Sequence, residues 1–390
     1  MKKETLVNHP PRVDLSPENR PIVAPIYQTV KFEFEDLEQT LEYLNGGRQG
    51  FFYTRASNPT ARQLELTLAQ LQGREDCLTT SSGIGATAQT LLALTKQGDH
   101  VLCFVETYGP TRYLVRNLLT RFGVAHTMLS IEDVAGVERT LASRPTRLLI
   151  FESPTNPVTK IADIAALTRL ARAHGALTVL DNTFAGLHQH GEYDIDLFVH
   201  SLTKFASGAG DVMGGAVIAR SELVRALRAD FGALGGVLDP HAAFLIQRGL
   251  KTYFARYRAQ CATAQRIAEL LAAHSAVERV HYPGLPSHPQ YALARAQMKE
   301  AGSIVTFELR GGAVAAARFV DALELFSLTP SLGATESLVV APQMMTVRDL
   351  SPEQRRISGI GPGTVRLALG LEDGEDLAAD VTHALEAAGA

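Results

Sequence analysis

The 390-residue sequence has little of what marks several large classes of protein. Its three cysteines, Cys77, Cys103 and Cys261, are far apart and form no CxxC pair. This spacing argues against a disulfide framework and against a zinc site, and it fits a reducing cytosol. No apolar run approaches the ~18 residues of a membrane span, and no apolar signal core follows the basic start Met1-Lys2-Lys3. We therefore expect a cytoplasmic protein that does not bind a membrane.

An excess of charge of one sign is also lacking. The sequence has 37 Lys and Arg against 41 Asp and Glu, for a formal net charge of -4. This balance gives no electrostatic reason to expect a nucleic-acid partner. The glycine-containing residues 81–87 match neither GxGxxG nor GxxxxGK[ST]. A NAD-dependent oxidoreductase or a P-loop enzyme therefore lacks its fingerprint.

What is present is an alternation of short apolar runs with helical patterns. We expect strands at residues 100–105, 124–129, 147–151, 177–180, 195–199 and 216–219, with a helix at 164–173. A further helix is expected to start at Asn58-Pro59 and to stop at Gly73. Alternation of this kind predicts an α/β fold with a mostly parallel sheet covered on both faces.

The sequence divides into three predicted regions. Residues 1–55 are proline-rich at first and have little periodicity, so we expect an arm that lies on a neighbouring subunit. Residues 56–250 form the predicted α/β domain, and residues 251–390 a smaller α+β domain with shorter strands. We place the boundary inside a single long helix that contains Arg248 and reaches past Ala272.

The most informative stretch is Ser201-Leu202-Thr203-Lys204, which follows a buried strand. Open α/β sheets bind ligands at the carboxyl ends of their strands. Desolvation there lowers the pKa of a lysine and makes its amine nucleophilic. Ser201 and Thr203 are spaced to hydrogen-bond a phosphate beside Lys204, and the cofactor that needs both groups is pyridoxal phosphate (PLP), held as a Schiff base. The alternative is a solvated surface lysine.

Polar residues also follow other predicted strands, namely Tyr108, Asn156 and Asp181. Each has an ordinary explanation as a partly buried aromatic, a turn residue or a helix cap. Their coincidence at one edge of the sheet favours a cofactor site. The small residues 81–87 open a helix whose free backbone N–H groups suit a phosphate. Arg55 is placed either to bind a phosphate or to form a surface salt bridge.

Taken together, these motifs resemble those of the Cys/Met-metabolism family of fold-type I PLP enzymes, which includes cystathionine γ-synthase, cystathionine γ- and β-lyases and methionine γ-lyase. The likeness runs from about Pro21 to the C-terminus. It is carried, in this order, by Tyr53-x-Arg55-x-x-Asn58-Pro59-Thr60, Ser82-Gly83, Tyr108-Gly109, Glu152-Ser153-Pro154-x-Asn156-Pro157, Asp181-Asn182-Thr183, Ser201-x-Thr203-Lys204, Ser331-Leu332-Gly333 with Glu336-Ser337-Leu338, and Val365-Arg366-Leu367.

The resemblance implies a role for each of these residues. Lys204 holds the cofactor and then carries protons, Asp181 pairs with the pyridine nitrogen, and Tyr108 stacks on the ring and assists the leaving group. The other implied cofactor-binding residues are Ser82, Gly83, Ile84, Thr183, Ser201 and Thr203, with Tyr53 and Arg55 reaching the phosphate of the neighbouring subunit. The substrate is implied to bind to Asn156, Ser331 and Arg366. A dimer with shared sites, usually paired into a homotetramer, and no metal are implied as well.

The sequence departs from the family pattern at Ala209 and Val347, where histidine is usual, and at Ala368, where serine is usual. Pro110 stands where methionine γ-lyases typically carry cysteine, which counts against that activity. The sequence has no tryptophan, although β-lyases often place one before the Gly-x-Glu-Ser-Leu segment. Ser331-Leu332-Gly333 together with Glu336 favours γ-lyases and γ-synthases instead.

We therefore expect a PLP-dependent carbon–sulfur lyase of trans-sulfuration, similar to cystathionine γ-lyase and acting on a small sulfur amino acid. The alternatives are a cystathionine γ-synthase that acts on an O-acylhomoserine and a cystathionine β-lyase. A non-catalytic PLP-binding regulator is a remote alternative.

Overall fold

The computed structural model describes residues 21–341, 344 and 349–389. The described residues form two β-sheets with helices packed around them. The strands of the larger sheet are β1 (Asp76–Thr80), β2 (His100–Phe104), β3 (Ala125–Leu129), β4 (Leu148–Glu152), β5 (Leu177–Asp181), β6 (Leu197–Ser201) and β7 (Gly215–Ala219). Those of the smaller sheet are β8 (Val277–His281), β9 (Ile304–Leu309), β10 (Ser327–Leu328), β11 (Leu338–Val340) and β12 (Thr364–Ala368).

The helices fall mostly between consecutive strands, as the alternating pattern predicts. They are α1 (Leu37–Leu44), α2 (Pro59–Gln72), α3 (Gly83–Leu94), α4 (Gly109–Tyr113), α5 (Val134–Ser143), α6 (Ile164–Ala173), α7 (Ser221–Leu234), α8 (Pro240–Leu250), α9 (Tyr253–Ala273), α10 (Tyr291–Gln297), α11 (Gly312–Ala322), α12 (Pro352–Ser358) and α13 (Gly374–Gly389). Helix α4 continues directly into a π-helical segment, Leu114–Leu119.

The larger sheet has the strand order β1-β7-β6-β5-β4-β2-β3. Strands β3, β2, β4, β5 and β6 are parallel to their neighbours in this series. Strand β7 is antiparallel to both β1 and β6. The prediction of an α/β fold with a mostly parallel sheet is therefore confirmed. The five parallel strands bring their carboxyl ends to one edge of the sheet.

The smaller sheet has the order β10-β11-β12-β9-β8 and a hydrophobic core of its own. Alternation along β12 sends Val365 and Leu367 into that core. Arg366, between them, therefore points to the opposite face of the sheet, because successive strand residues alternate. That face lies against the larger sheet. The predicted smaller C-terminal α+β unit is present, while the division at residue 250 stays a prediction.

The expected single helix through Arg248 is wrong, because α8 ends at Leu250 and α9 begins at Tyr253. Gly249 lies just before the break and packs closely, since an added Cβ there would lie 2.2 Å from the carbonyl oxygen of Ser207. The Gly249 carbonyl also accepts from the Thr252 N–H, at 3.2 Å, and from the Arg256 side chain, at 2.9 Å. These bonds replace the continuous helical pattern.

Both ends of helix α2 agree with the sequence prediction, because the local signals at its start and end are strong. The Asn58 side chain accepts from the Thr60 N–H at 2.9 Å, and Pro59 occupies the first turn of α2. Gly73 ends the helix with φ +68°, a left-handed conformation that glycine adopts at little cost. This helix packs against β1 and α8 and holds the preceding loop in place.

Residues 21–55 of the predicted arm carry exposed apolar side chains, among them Ile22, Val30 and Tyr53. Residues 1–20 of the arm and Val347 lie outside the described residues. The expected contact of the arm with a second subunit stays a prediction. Across the described ranges, no helix is both long and apolar enough to cross a membrane.

Candidate active site

A cavity of about 380 Å³ lies between the carboxyl edge of the larger sheet and the inner face of the smaller one. Most of the residues that were predicted from the sequence as cofactor-binding or substrate-binding line it. They are Ser82, Gly83, Ile84, Tyr108, Asn156, Asp181, Thr183, Ser201, Thr203, Lys204, Ser331 and Arg366. The structure thus brings together groups that are up to 284 residues apart in sequence, from Ser82 to Arg366 (366 minus 82).

Lys204 follows β6 by three residues, and its amine points into the cavity. The Lys204 Nζ donates a hydrogen bond to the Ser331 Oγ at 2.8 Å. Burial lowers the pKa of the Lys204 amine, and the neighbouring Arg366 cation lowers it further. A larger fraction of this lysine is therefore neutral than of an exposed lysine, as a nucleophilic amine requires.

Asp181 is the last residue of β5 and is held in one orientation by Thr183. Its Oδ1 accepts from the Thr183 N–H at 3.1 Å and from the Thr183 Oγ1 at 2.6 Å. The Thr183 Oγ1 in turn accepts from the Ser201 N–H at 2.9 Å, which joins the ends of β5 and β6. Burial raises the pKa of the Asp181 carboxyl, and its bonds to Thr183 oppose that rise. A protonated pyridine nitrogen is a partner that favours the ionised form.

The N-terminus of α3 lies against Ser201, the last residue of β6. The Ser82 Oγ caps the helix by accepting from the Gly85 N–H at 3.1 Å. Among the described residues, the N–H groups of Gly83 and Ile84 have no hydrogen-bond partner. A Cβ on Gly83 would lie 2.6 Å from the Ser201 Cβ, so only glycine permits this close approach. Free N–H groups at a helix N-terminus form a phosphate site.

The Thr203 hydroxyl is bonded to the backbone of Gly214, so it is less available to a phosphate than its spacing from Lys204 suggested. Its Oγ1 accepts from the Gly214 N–H at 3.1 Å and lies 3.4 Å from the Gly214 carbonyl oxygen. The hydroxyl therefore holds the strand that leads to β7, although it also lines the cavity. Ser201, whose hydroxyl touches the α3 N-terminus, is the better placed of the two for a phosphate.

Tyr108 precedes α4 and remains 39% exposed at the cavity mouth. Burial raises the pKa of its phenol, and the Glu152 and Asp181 carboxylates raise it further. Its backbone N–H donates to the Glu152 Oε1 at 2.5 Å. Glu152 lines the cavity too, and it pairs with Asp181 across β4 and β5. Glu152 was not among the site residues predicted from the sequence, although its position at the end of an apolar strand was a signal for it.

Arg366 is 6% exposed and spans the gap between the two sheets. Its Nη1 donates to the Asn156 Oδ1 at 2.9 Å, and its Nη2 donates to the Ser331 carbonyl oxygen at 2.7 Å. Its buried Nε has no partner in the described part of the chain. Burial lowers the pKa of Arg366 to about 10, so it remains a cation at neutral pH. An orphaned N–H on a buried guanidinium fits a carboxylate ligand.

Two of the residues selected from the sequence lie elsewhere. Arg55 is exposed, and its Nη1 donates to the Gly232 carbonyl oxygen at 2.7 Å. Its guanidinium carbon lies 5.7 Å from the centre of the exposed Tyr53 ring. Neither residue lines the cavity. A separate cleft of about 760 Å³, lined partly by His281 and Arg279, contains none of the residues selected from the sequence.

This geometry agrees with the similarity to known proteins. The sequence matches the family described as Cys/Met metabolism PLP-dependent enzyme over residues 5–386. The chain belongs to this family. The L-methionine γ-lyase of Pseudomonas putida is 44% identical, covering 94% of this chain and 93% of that protein.

Solved structures of the Cys/Met-metabolism family agree over the whole fold. The cystathionine γ-synthase of Xanthomonas oryzae, in complex with aminoacrylate and cysteine, has a TM-score of 0.89 and 37% identity, over 94% of both chains. The cystathionine γ-lyase of Micromonospora echinospora has a TM-score of 0.87 and 37% identity, over 95% of this chain and 96% of that one. The predictions of a fold-type I PLP enzyme and of a role in sulfur amino-acid metabolism are confirmed.

The cavity fits the cofactor of this family. It offers an amine at Lys204, a buried carboxyl at Asp181 and unpaired helix N–H groups at Gly83 and Ile84. These three features match the aldehyde, the pyridine nitrogen and the phosphate of PLP. The described residues contain no cluster of three His, Cys, Asp or Glu side chains that could hold a metal ion.

Proposed function

We propose that this enzyme breaks the Cγ–S bond of a sulfur amino acid by γ-elimination, in the manner of a cystathionine γ-lyase. The observation that supports the proposal is that Lys204 and Arg366 both line one cavity. An amine of lowered pKa and a guanidinium with an unpaired Nε face the same space. Together they suit an α-amino acid whose carboxylate is bound while a proton at its Cα is removed.

The substrate carboxylate would bind to the unpaired Arg366 Nε, while the bonds from Nη1 to Asn156 and from Nη2 to Ser331 hold the guanidinium in place. This places the substrate Cα near the Lys204 amine, which is 2.8 Å from the Ser331 Oγ. When bound, PLP supplies the electron sink for the charge that develops at the substrate Cα. Lys204 would take the proton from Cα and then one from Cβ, whose electron pair expels the sulfur from Cγ, and it would return a proton at Cγ.

Tyr108 would support departure of the sulfur. Its phenol has a raised pKa, so it is the protonated form that stands at the cavity mouth near neutral pH. A neutral phenol is a proton donor for a leaving thiolate. Asp181, fixed by Thr183, would keep the pyridine nitrogen of the cofactor protonated. Gly83, Ile84 and Ser201 would bind the phosphate.

A second candidate is γ-replacement on an O-acylhomoserine, because a cystathionine γ-synthase shares this fold with a TM-score of 0.89. Both reactions use the same proton transfers and differ in whether an incoming thiol is captured. β-Elimination from cystathionine is a third outcome of the same chemistry. Pro110, in the first turn of α4 beside Tyr108, remains our reason to rank a methionine-specific lyase lower, although the L-methionine γ-lyase of Pseudomonas putida is 44% identical.

We also propose a homodimer with shared sites, usually paired into a tetramer, and a cytoplasmic location. The exposed Tyr53 and Arg55 support the dimer, because neither reaches the cavity of its own subunit. The free thiols of Cys77, Cys103 and Cys261 support a reducing compartment.

The test is to mix the holoenzyme with L-cystathionine and identify the products. We expect 2-oxobutyrate and cysteine. Pyruvate and homocysteine would instead establish β-elimination. Neither keto acid, with intact cofactor absorbance and product formation from an O-acylhomoserine plus cysteine, would establish the synthase. The control is Lys204→Ala, which should lose both turnover and the lysine-linked cofactor absorbance, and wild-type turnover by that variant would exclude the proposed site.

A further inference from the structure

Glu152 lies among three groups that the proposed reaction needs. It is the last residue of β4, is 6% exposed and lines the cavity. Its Oε1 accepts from the Tyr108 N–H at 2.5 Å. The Asn156 N–H also donates to this carboxyl group, and Asp181 is its register partner on β5. One buried side chain therefore joins the Tyr108 loop to the strand ends that carry Asn156 and Asp181.

The placement of the Tyr108 phenol depends on its backbone. Across the described residues the phenol forms no hydrogen bond of its own, and 39% of Tyr108 is exposed. The Arg112 guanidinium donates to the carbonyl oxygens of Val105, at 3.1 Å, and Thr107. These two bonds stay within one segment and hold the shape of its loop. The bond from the Tyr108 N–H to Glu152 instead fixes that loop to β4, beside the groups placed for PLP.

The Glu152 carboxyl stands beside a second buried carboxyl, that of Asp181. Burial raises the pKa of Glu152 well above its ordinary value, and the Asp181 carboxylate raises it further. Asp181 keeps its charge more readily, because the Thr183 N–H and hydroxyl both donate to it. The uncharged form of Glu152 is therefore favoured beside an ionised Asp181. Glutamine has the same length as glutamate and offers the same acceptor oxygen without a charge.

The leaving group decides how much the reaction needs the Tyr108 phenol. When the Cγ–S bond breaks, its electron pair goes to sulfur, and a proton from the phenol turns the thiolate into a thiol. The phenolate regains its proton from water at the exposed cavity mouth. A thiol has an ordinary pKa of about 8.5 and a carboxyl group one of about 4. A carboxylate released from an O-acylhomoserine therefore leaves without protonation, whereas a thiolate benefits from it.

We propose that Glu152 is a positioning residue for departure of the sulfur. This proposal rests on the proposed function. Glu152 holds the Tyr108 phenol where the leaving thiolate forms. Loss of its acceptor oxygen lets the Tyr108 loop move away from β4, and a displacement of about 1 Å costs up to about a hundredfold in rate. The loss falls on substrates with a thiolate leaving group and spares those that release a carboxylate.

The experiment compares kcat for keto-acid release from L-cystathionine and from O-acetyl-L-homoserine without added thiol. Glu152→Ala should lower kcat for cystathionine by about ten- to a hundredfold and kcat for the ester far less. A shift of Asn156 or Arg366 would affect both substrates alike, because both carry the same α-amino acid group, so it cancels in the ratio. Glu152→Gln, which keeps an acceptor of the same reach, should restore the wild-type ratio. Glu152→Asp, which keeps the charge but is shorter, should not.

Glu106→Gln is the matched control. Glu106 is another buried carboxylate that lines the cavity, but it accepts from the Ile131 N–H at 3.0 Å and from the Lys160 Nζ at 3.0 Å, and not from Tyr108. This variant should lower the melting temperature, because it weakens the ion pair with Lys160. It should leave the ratio of the two kcat values within about twofold of wild type, as expected for independent sites.

A second measurement uses Tyr108→Phe, which removes the phenol proton. In that background Glu152→Ala should cause no further loss with cystathionine, since both changes remove the same contribution. If the Glu152→Ala loss persists there, or if it is equal for both substrates, Glu152 is only structural and the positioning role is overturned while the lyase assignment stands. If wild type releases a keto acid from neither substrate, or from the ester alone, the proposed function itself is overturned.

Discussion

The N-terminus of α3 gives a sharp test of the cofactor site, because one added methyl group should displace it. In Gly83→Ala the new Cβ would lie 2.6 Å from the Ser201 Cβ and 2.8 Å from the Ser201 Cα. Carbon atoms in contact need about 3.5–4.0 Å, so α3 and β6 must separate by about 1 Å. The Ser201 Cα belongs to the backbone of a paired strand and cannot rotate away as a side chain would.

Two effects follow, and they can be measured separately. Overpacking of this kind costs about 1–3 kcal/mol of stability, which should appear in the apoprotein. The shift also moves the N–H groups of Gly83 and Ile84 away from the Ser201 hydroxyl. A hydrogen bond to a charged phosphate contributes about 1.5–3 kcal/mol, so losing one should weaken PLP binding by about ten- to a hundredfold.

The assay is a titration of apoprotein with PLP, followed by absorbance, beside a thermal melt of the apoprotein. Gly232→Ala is the control, because its Cβ would meet no atom within 4 Å and Gly232 lies inside α7. That substitution should raise stability by up to about 1 kcal/mol and leave the Kd for PLP unchanged. The carbonyl group of Gly232, which accepts from Arg55, is retained.

One result would refute the reasoning about the phosphate. If Gly83→Ala lowers the melting temperature of the apoprotein but leaves the Kd for PLP at the wild-type value, the strain is real and the phosphate binds elsewhere. If neither quantity changes, the close contact between α3 and β6 is itself wrong.

Two further predictions follow. Burial lowers the pKa of His190 to about 4 and of His200 to about 3, so the unfolded chain takes up their protons first. The contribution of these two neutral histidines to the free energy of unfolding is therefore complete above pH ~6.5. It is lost towards pH ~4, by up to about 1.4 kcal/mol per pH unit for each histidine. Urea midpoints at pH 7.5 and 5.5 should show a smaller drop for His200→Gln than for wild type, and an equal drop would contradict the prediction. Arg55→Ala should lose PLP faster on dilution, whereas Arg48→Ala, which removes only an exposed pair with Glu42, should not, and equal retention would contradict a shared site.

The parts of the fold that sequence predicted are those with local causes. Helix α2 has a capping asparagine, a proline in its first turn and a glycine after its end, and helix α6 was predicted at its observed bounds, Ile164–Ala173. The sequence also predicted that Tyr108, Asp181 and Lys204 lie close together. Each follows a strand of the parallel part of the sheet, and parallel strands end at the same edge. No contact between distant residues had to be known in advance.

The parts that sequence missed depend on contacts between distant segments. At the break after Leu250 the Gly249 carbonyl accepts from the Thr252 N–H and from the Arg256 side chain, and no helical periodicity reveals these bonds. The pairing of Arg112 with Asp349 spans 237 residues, so neither residue carries a local signal. Glu152 was read as part of a motif, yet its carboxylate accepts from the Tyr108 N–H because β2 and β4 are neighbours.

The two sheets contribute different groups to the site. This difference is relevant to how relatives that share one cofactor can differ in substrate. The groups placed for PLP, including Asp181 and Lys204, lie at the edge of the larger sheet. Arg366 comes from β12 of the smaller sheet, and Val340 is its partner on β11. A change at Val340, which lines the cavity, would alter what the substrate meets without moving the cofactor groups. We therefore expect PLP to be held mainly by the larger sheet, while the substrate meets residues from both sheets, Asn156 and Tyr108 on one side and Arg366 on the other.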